Sequence, residues 1–208
     1  GGAISNARKF FLGKHHVHQR ERDGALKVHA LFRMRIYHDS SVPQFVLSTL
    51  EALSVELIDV TQSPVFRQLG KVGQISNPRC WRFAVASDPK VVRYLSRDVD
   101  SRIGDREAAA IDAWVVSNKR FHVMRDHPSH ALYARAGFTM QAGMWGGITE
   151  AVPEMLNLLK CTSDTSDDYY ADQVFLRDKI WPLALQRGVL QHDSFSCDIF
   201  LDSRPFPV

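Results

Sequence analysis

The chain has 208 residues, 45% of them hydrophobic and 24% charged. That suits one globular domain able to bury a sizeable core, and we read residues 1–208 as a single domain opened by an irregular or helical segment over 1–27. A formal net charge of +3 argues against a dedicated nucleic-acid binder, which shows a stronger, clustered basic bias. No apolar run reaches about 18 residues, so no membrane-spanning helix is expected.

Cys80, Cys161 and Cys197 are odd in number and none are spaced as C-x-x-C. This argues against a zinc knot and against a disulfide framework, with one bridge left open.

In chain order, residues 3–12 suggest a short helix, followed by a loop in which His15, His16 and His18 cluster near Arg20 and Arg22. Such a tract binds metal or is simply solvated. Residues 31–37 read as a strand. Ser40-Ser41-Val42-Pro43 starts a helix, and Phe45, Val46, Leu50 and Leu53 keep helical spacing to about 53. Residues 55–60 alternate as a strand. A loop rich in Gly, Ser and Pro covers 61–78, and a short helix with Trp81, Phe83 and Val85 covers 79–87.

Residues 91–96 are a third strand. Asp105 is expected to cap a helix over 106–117. Strands follow at 120–124 and 138–145, the latter running into Gly146-Gly147. Helices are expected at 152–160 and 171–186, separated by a polar loop over 161–169. A last strand covers 189–192, before an irregular tail from 201 to 208. Strands alternating with helices indicate an α/β domain with a mainly parallel mixed sheet flanked by helices.

Four groups carry chemistry. The strand 91–96 ends in Arg97-Asp98-Val99-Asp100. Two carboxylates one residue apart at a strand's carboxyl end can hold a hard divalent cation and, through it, a phosphate, or they close the strand as a charged turn. Arg125-Asp126-His127-Pro128-Ser129-His130 follows another strand and reads as a substrate loop, with cations for phosphate and imidazoles for proton transfer, or as a solvated turn. Gly143-Met144-Trp145-Gly146-Gly147 combines glycines that allow close backbone approach with an indole face for a sugar ring, or is a bulged strand with a core Trp. Asp172-Gln173 opens a helix, where Asp172 serves as a cap or as a functional carboxylate, and His192-Asp193 ends the last strand.

Taken in this order the motifs RDVDSR, FHVMRDHPSH, GMWGG, DQVFL and QHDSF resemble the GT-A class of glycosyltransferases, and more narrowly a little-characterised glycosyltransferase-like family, over roughly residues 30–207. The resemblance implies a Rossmann-like GT-A nucleotide-diphospho-sugar transferase architecture. The opening residues Gly2–Asn6 do not supply the strand that opens this fold, so that strand is expected to be missing.

It implies Mn²⁺ or Mg²⁺ held by Asp98, Asp100 and His192 against the diphosphate of a UDP- or GDP-sugar. Asp98 is an alternative partner for the ribose. Arg82, Arg97 and Arg125 would support the departing diphosphate, while His127, His130, Trp145, Gly146 and Gly147 would line the donor site. Asp172 would face an acceptor hydroxyl as general base or as a positioning group. The acceptor is a glycan, protein or small molecule that spacing does not name. A Golgi or secretory lumen would suit this activity in a eukaryote. Two other functions remain open: a non-catalytic or truncated domain of the same fold, and a metal-dependent phosphoesterase.

Overall fold

In the computed structural model, residues 32–68, 77–101, 103–160 and 169–207 are described. The expected helix over 3–12, the histidine cluster, Cys161 and nearly all of the 161–169 loop lie outside these residues.

Strand β1 (Arg35–His38), helix α1 (Gln44–Ala52), strand β2 (Glu56–Asp59) and helix α2 (Pro64–Gln68) come first, and β1 and β2 pair in parallel. A 3-10 helix spans Pro78–Ser87, followed by β3 (Arg93–Arg97), α3 (Asp105–Val116), β4 (Phe121–Arg125), α4 (Pro128–Arg135) and β5 (Met144–Ile148). Helix α5 (Met155–Lys160) and α6 (Ala171–Phe175) follow. A π-helical turn over Leu176–Ile180, α7 (Trp181–Arg187) and β6 (Val189–Asp193) complete the order.

The second sheet has the order β3-β5-β4-β6. β5 is antiparallel to both β3 and β4, and β4 is parallel to β6. Strands β3, β4 and β6 therefore run in one direction and bring Arg97, Arg125 and Asp193 to the same edge, where β5 begins. The architecture is a mixed α/β sheet with helices, compatible with a Rossmann-like fold. Two of its four pairings are antiparallel, so it is not mainly parallel. The short run Met144-Trp145-Gly146-Gly147-Ile148 is buried through its middle, and such a local run carries no information on strand direction.

Several boundaries differ from expectation. The strand over 138–145 is displaced: β5 covers Met144–Ile148, and Gly146 and Gly147 lie in its middle. The expected Asp105 cap is replaced by Gly104, with Asp105 inside the first turn. Helix α4 occupies what the sequence presents as a loop. His127 caps it by accepting from the Ser129 amide at 3.1 Å, and Pro128 enters at the first turn, where its missing N–H costs nothing.

Helix α4 ends in a Schellman turn. The Phe138 amide bonds to the Tyr133 carbonyl and the Gly137 amide to that of Ala134; Gly137 adopts φ 92°, which glycine tolerates without penalty. The single helix expected over 171–186 is interrupted by the π turn. Pro182 in the first turn of α7 removes one backbone donor and crowds the preceding turn, and local rewinding accommodates it.

The 3-10 winding over Pro78–Ser87 aligns residues three apart. Cys80, Phe83 and Ala86, each at most 1% exposed, form one buried line. Arg79 and Arg82 form a second. Phe83 stacks on Phe175 (centroids 5.5 Å apart, 16° between planes) and meets Trp145 edge-on at 5.7 Å. This aromatic clamp ties the 3-10 helix to β5 and α6, and such pairs add about 0.5–1.5 kcal/mol beyond area burial.

A Cβ at Gly146 would stand 2.6 Å from the Tyr94 carbonyl oxygen and 2.9 Å from Leu95 Cδ2. Gly146→Ala is expected to lower unfolding free energy by about 1–3 kcal/mol in a denaturant titration, because the clash is with sheet backbone. An unchanged midpoint would contradict this packing.

Candidate functional site

Two clusters form at the carboxyl edge of the second sheet. In the first, the Arg82 guanidinium reaches Asp98 Oδ1 at 2.5 Å and Asp172 Oδ2 at 2.9 Å. Three segments far apart in sequence meet in this one contact. The 3-10 winding sets Arg82 on the line beside Arg79, whose carbonyl accepts from Arg82 Nε at 3.0 Å. Asp172 is held in the first turn of α6, and its Oδ1 accepts from the Gln173 amide at 2.8 Å.

Gln173 fixes the other side. In the amide orientation that satisfies both ends, its nitrogen donates to the Met140 carbonyl and its oxygen accepts from the Ala142 amide, each at 3.2 Å. The Ala142 carbonyl accepts from the Ser96 hydroxyl at 2.6 Å. The next residue, Gly143, lies against Asp98 so closely that a Cβ would overlap the carboxylate. Gly143 is therefore the glycine the site needs. Gly146 and Gly147 instead make room for the Tyr94 backbone and ring.

The two carboxylates differ. The Asp98 side chain is 51% exposed, against 7% for Asp172. Burial pushes the Asp172 carboxyl above its ordinary value, despite the opposing Arg82 charge. Such a group is better matched to accepting a proton near neutral pH.

In the second cluster, Arg97 donates to Glu107 Oε2 at 2.9 Å and to the Gly143 carbonyl at 2.7 Å. Burial raises the Glu107 carboxyl to about 7, outweighing the attraction of Arg97. Asp126 is held by Arg106 at 3.1 Å and by the Ser194 hydroxyl at 2.8 Å. Burial lowers the His130 imidazole. Arg97 Nε, Glu107 Oε1 and His130 Nδ1 are buried without a hydrogen-bond partner. Unsatisfied buried polar atoms cost about 1–3 kcal/mol each unless water or a ligand meets them.

The remaining sequence candidates lie elsewhere. Arg125 is fully buried, bonded to Asp193, Gln191 and the Thr139 carbonyl, and covered by the Phe200 ring at 3.7 Å. With every face occupied inside the protein, it cannot meet a diphosphate. Trp145 is a core residue at 0% exposure and offers no face to a sugar. His127 caps α4. Asp100 is exposed in the turn after β3.

His192 is a core histidine. Its Nδ1 lies 2.8 Å from His122 Nε2, and one ring donates to the other. His122 in turn stacks on Trp114 with centroids 5.4 Å apart. Burial lowers His192 to about 4 and His122 well below its ordinary value, so both are neutral at pH 7.

Among the described residues no group of three or more His, Cys, Asp or Glu is placed to hold a metal ion. Asp98 faces a guanidinium and His192 faces His122. The residues therefore do not fit a preformed Mn²⁺ or Mg²⁺ site. Among the described cysteines, Cys80 and Cys197 are free, and burial raises the Cys80 thiol to about 12, which makes it inert. No helix among the described residues is long and apolar enough to cross a membrane.

Compared with protein-family models, with curated proteins and with solved structures, the chain matches none.

A carboxyl raised from its ordinary 4.5 to about 7 binds a proton on folding across that interval. Its contribution is therefore full below about pH 4.5 and lost as pH rises through 7. His122 and His192 are depressed and give the opposite slope as pH falls, so the effect is read as a difference. Between pH 4.5 and 7, wild type should lose on the order of 1–3 kcal/mol relative to Glu107→Gln. A pH-independent difference would show that Glu107 titrates normally.

Proposed function

We propose that this chain is a nucleotide-sugar-dependent glycosyltransferase domain that moves a sugar from a UDP- or GDP-sugar to an acceptor hydroxyl. The observation that carries the reading is the meeting of Arg82, Asp98 and Asp172 at the carboxyl end of β3. Ligands of α/β sheets bind at such ends. A raised carboxylate beside a fixed guanidinium also has the parts that this transfer requires. The motif resemblance over residues 30–207 points the same way.

In the proposed step the bond between the sugar's anomeric carbon and the donor diphosphate breaks, and its electron pair leaves with the nucleoside diphosphate. A bond forms from the acceptor oxygen to that carbon, and Asp172 takes the acceptor's proton. Arg82 opposes the negative charge growing on the departing diphosphate, which is worth most in a site already organised for it. Asp98 holds Arg82 through Nη1 while Asp172 takes Nη2, and Gly143 gives Asp98 its place. No step is routed through a metal, since the donor set does not fit one.

Two measurements test this. Thermal shift of the full chain with UDP and with GDP, each with and without Mn²⁺, should show stabilisation by one nucleotide, because a ligand that binds only the native state raises its stability. No shift under any of these conditions would favour the non-catalytic reading.

With the nucleotide known, Asp172→Asn should lower transfer by about 10²–10⁴-fold while nucleotide affinity stays within about twofold. The wild-type rate should fall on the acid side through an apparent pKa above the ordinary carboxylate range, because protonated Asp172 cannot accept a proton. Full transfer by Asp172→Asn would remove Asp172 from the chemistry.

A further inference from the structure

The two clusters at the sheet's carboxyl edge are joined by a chain of contacts that the transfer step does not use. Glu107 stands in the first turn of α3 and accepts from Arg97 Nη2 at 2.9 Å. Arg97 is the last residue of β3. Its Nη1 donates to the Gly143 carbonyl at 2.7 Å and lies against Met144 Sδ. Gly143 packs on the Asp98 carboxylate, which holds Arg82 Nη1 at 2.5 Å. The same Nη1 lies 3.5 Å from the Arg97 carbonyl oxygen, so Arg97 reaches Arg82 through its backbone as well.

The Glu107–Arg97 contact depends on charge. The two side chains meet through one N–H, and Arg97 Nε and Glu107 Oε1 are buried without a partner. The pair therefore lacks the two-pronged fit that holds an arginine and a carboxylate by shape. What keeps Arg97 in place is the attraction of a carboxylate in largely buried surroundings. A neutral carboxyl would offer only an ordinary hydrogen bond, roughly half as strong.

That charge is easily lost. Burial opposes it most, Arg97 favours it and Asp126 at the end of β4 opposes it further, so the carboxyl rises to about 7. Arg106, the neighbour on α3, is engaged by Asp126 and Ser194, and Asp105 is exposed. His130 on α4 is lowered by burial and adds no charge at pH 7. Ionising Glu107 costs folding stability because the group is buried, yet it tightens the one contact the group makes.

We propose that Glu107 is a positioning residue for the Arg82 site. Its negative charge holds Arg97, Arg97 holds the Gly143 carbonyl, and Gly143 seats Asp98 where it meets Arg82. Asp172 takes the other amine of Arg82, so the relay ends on the proposed base. The site is most ordered above neutral pH and loosens as Glu107 takes up a proton. What that ordering serves rests on the glycosyltransferase reading; the relay itself does not.

The test is a pH titration of the isotope-labelled full chain followed by NMR. The Glu107 carboxyl, the Gly143 and Asp98 amides and the Arg97 Nε–H are expected to shift together, with one midpoint near 7. Glu107→Gln should remove that step from Gly143, Asp98 and Arg97 and leave them at their acid-side positions. Reporters that stay still while the wild-type carboxyl titrates would overturn the relay, whether or not the variant folds, and so would reporters that still shift in Glu107→Gln. In a chain that binds UDP or GDP, wild-type transfer should fall roughly tenfold through the Glu107 midpoint, the loss expected for one weakened charge-assisted contact. Glu107→Gln should flatten that limb and keep the limb set by Asp172. Transfer with no Glu107-dependent limb would overturn the positioning role and leave the glycosyltransferase reading intact. A Glu107-dependent step at Gly143 and Asp98 in a chain that binds no nucleotide would support the relay and defeat that reading.

Discussion

Arg82 lies between two carboxylates that would otherwise repel each other. Burial raises the Asp172 carboxyl most, Arg82 lowers it, and Asp98 adds a smaller upward push, so the guanidinium offsets part of what burial costs Asp172 as a charged group. The two contacts are unequal. A pair reaching the half-exposed Asp98 contributes about 0–1 kcal/mol. The contact with buried Asp172 matters more, because its loss would strand a carboxylate away from water. Asp98 chiefly fixes where Arg82 points, and Asp172 depends on the charge placed there.

That geometry is held from below by the core. Phe83 follows Arg82 in sequence, and Phe175 lies three residues after Asp172 on α6. The Phe83–Phe175 stack therefore fixes the two polar partners from beneath, with Trp145 closing the clamp. Gln173 ties the same helix to the backbone leading into β5, and Ser96 ties that backbone to β3. Helix, sheet and 3-10 segment are locked together within a few residues of the site, so movement in one displaces the others.

Much of the fold is legible in the sequence because each strand is marked by apolar, β-prone residues and each is short enough for local pattern to define. Asp98 and Asp172 are legible for a related reason: a carboxylate at a strand end or helix start is conspicuous. Arg82 is visible as a cation, but its bridging position depends on 3-10 rather than α winding, and composition does not separate the two. Helix α4 escapes detection because its histidines and serine resemble a loop, although His127-Pro128 is a start signal.

The glycines and Arg125 show what local pattern cannot supply. Gly143, Gly146 and Gly147 look equivalent in the chain. Only the register of β5 against β3 shows that the last two face Tyr94 and the first faces Asp98. Arg125 looks like a phosphate ligand at a strand end, yet the tail after β6 folds over it and delivers Phe200 to its face. His192 is taken by His122, seventy residues away. Each of these outcomes is decided by a partner distant in sequence.

The central claim, that Arg82 couples the 3-10 segment to α6 through Asp172, is tested most directly by a double-mutant cycle in unfolding free energy with Arg82→Gln, Asp172→Asn and the double variant. The account predicts a coupling energy of at least about 1 kcal/mol, with the double variant less damaged than the two single losses combined. Losses that add to within about 0.3 kcal/mol would mean that the two side chains do not act on one another.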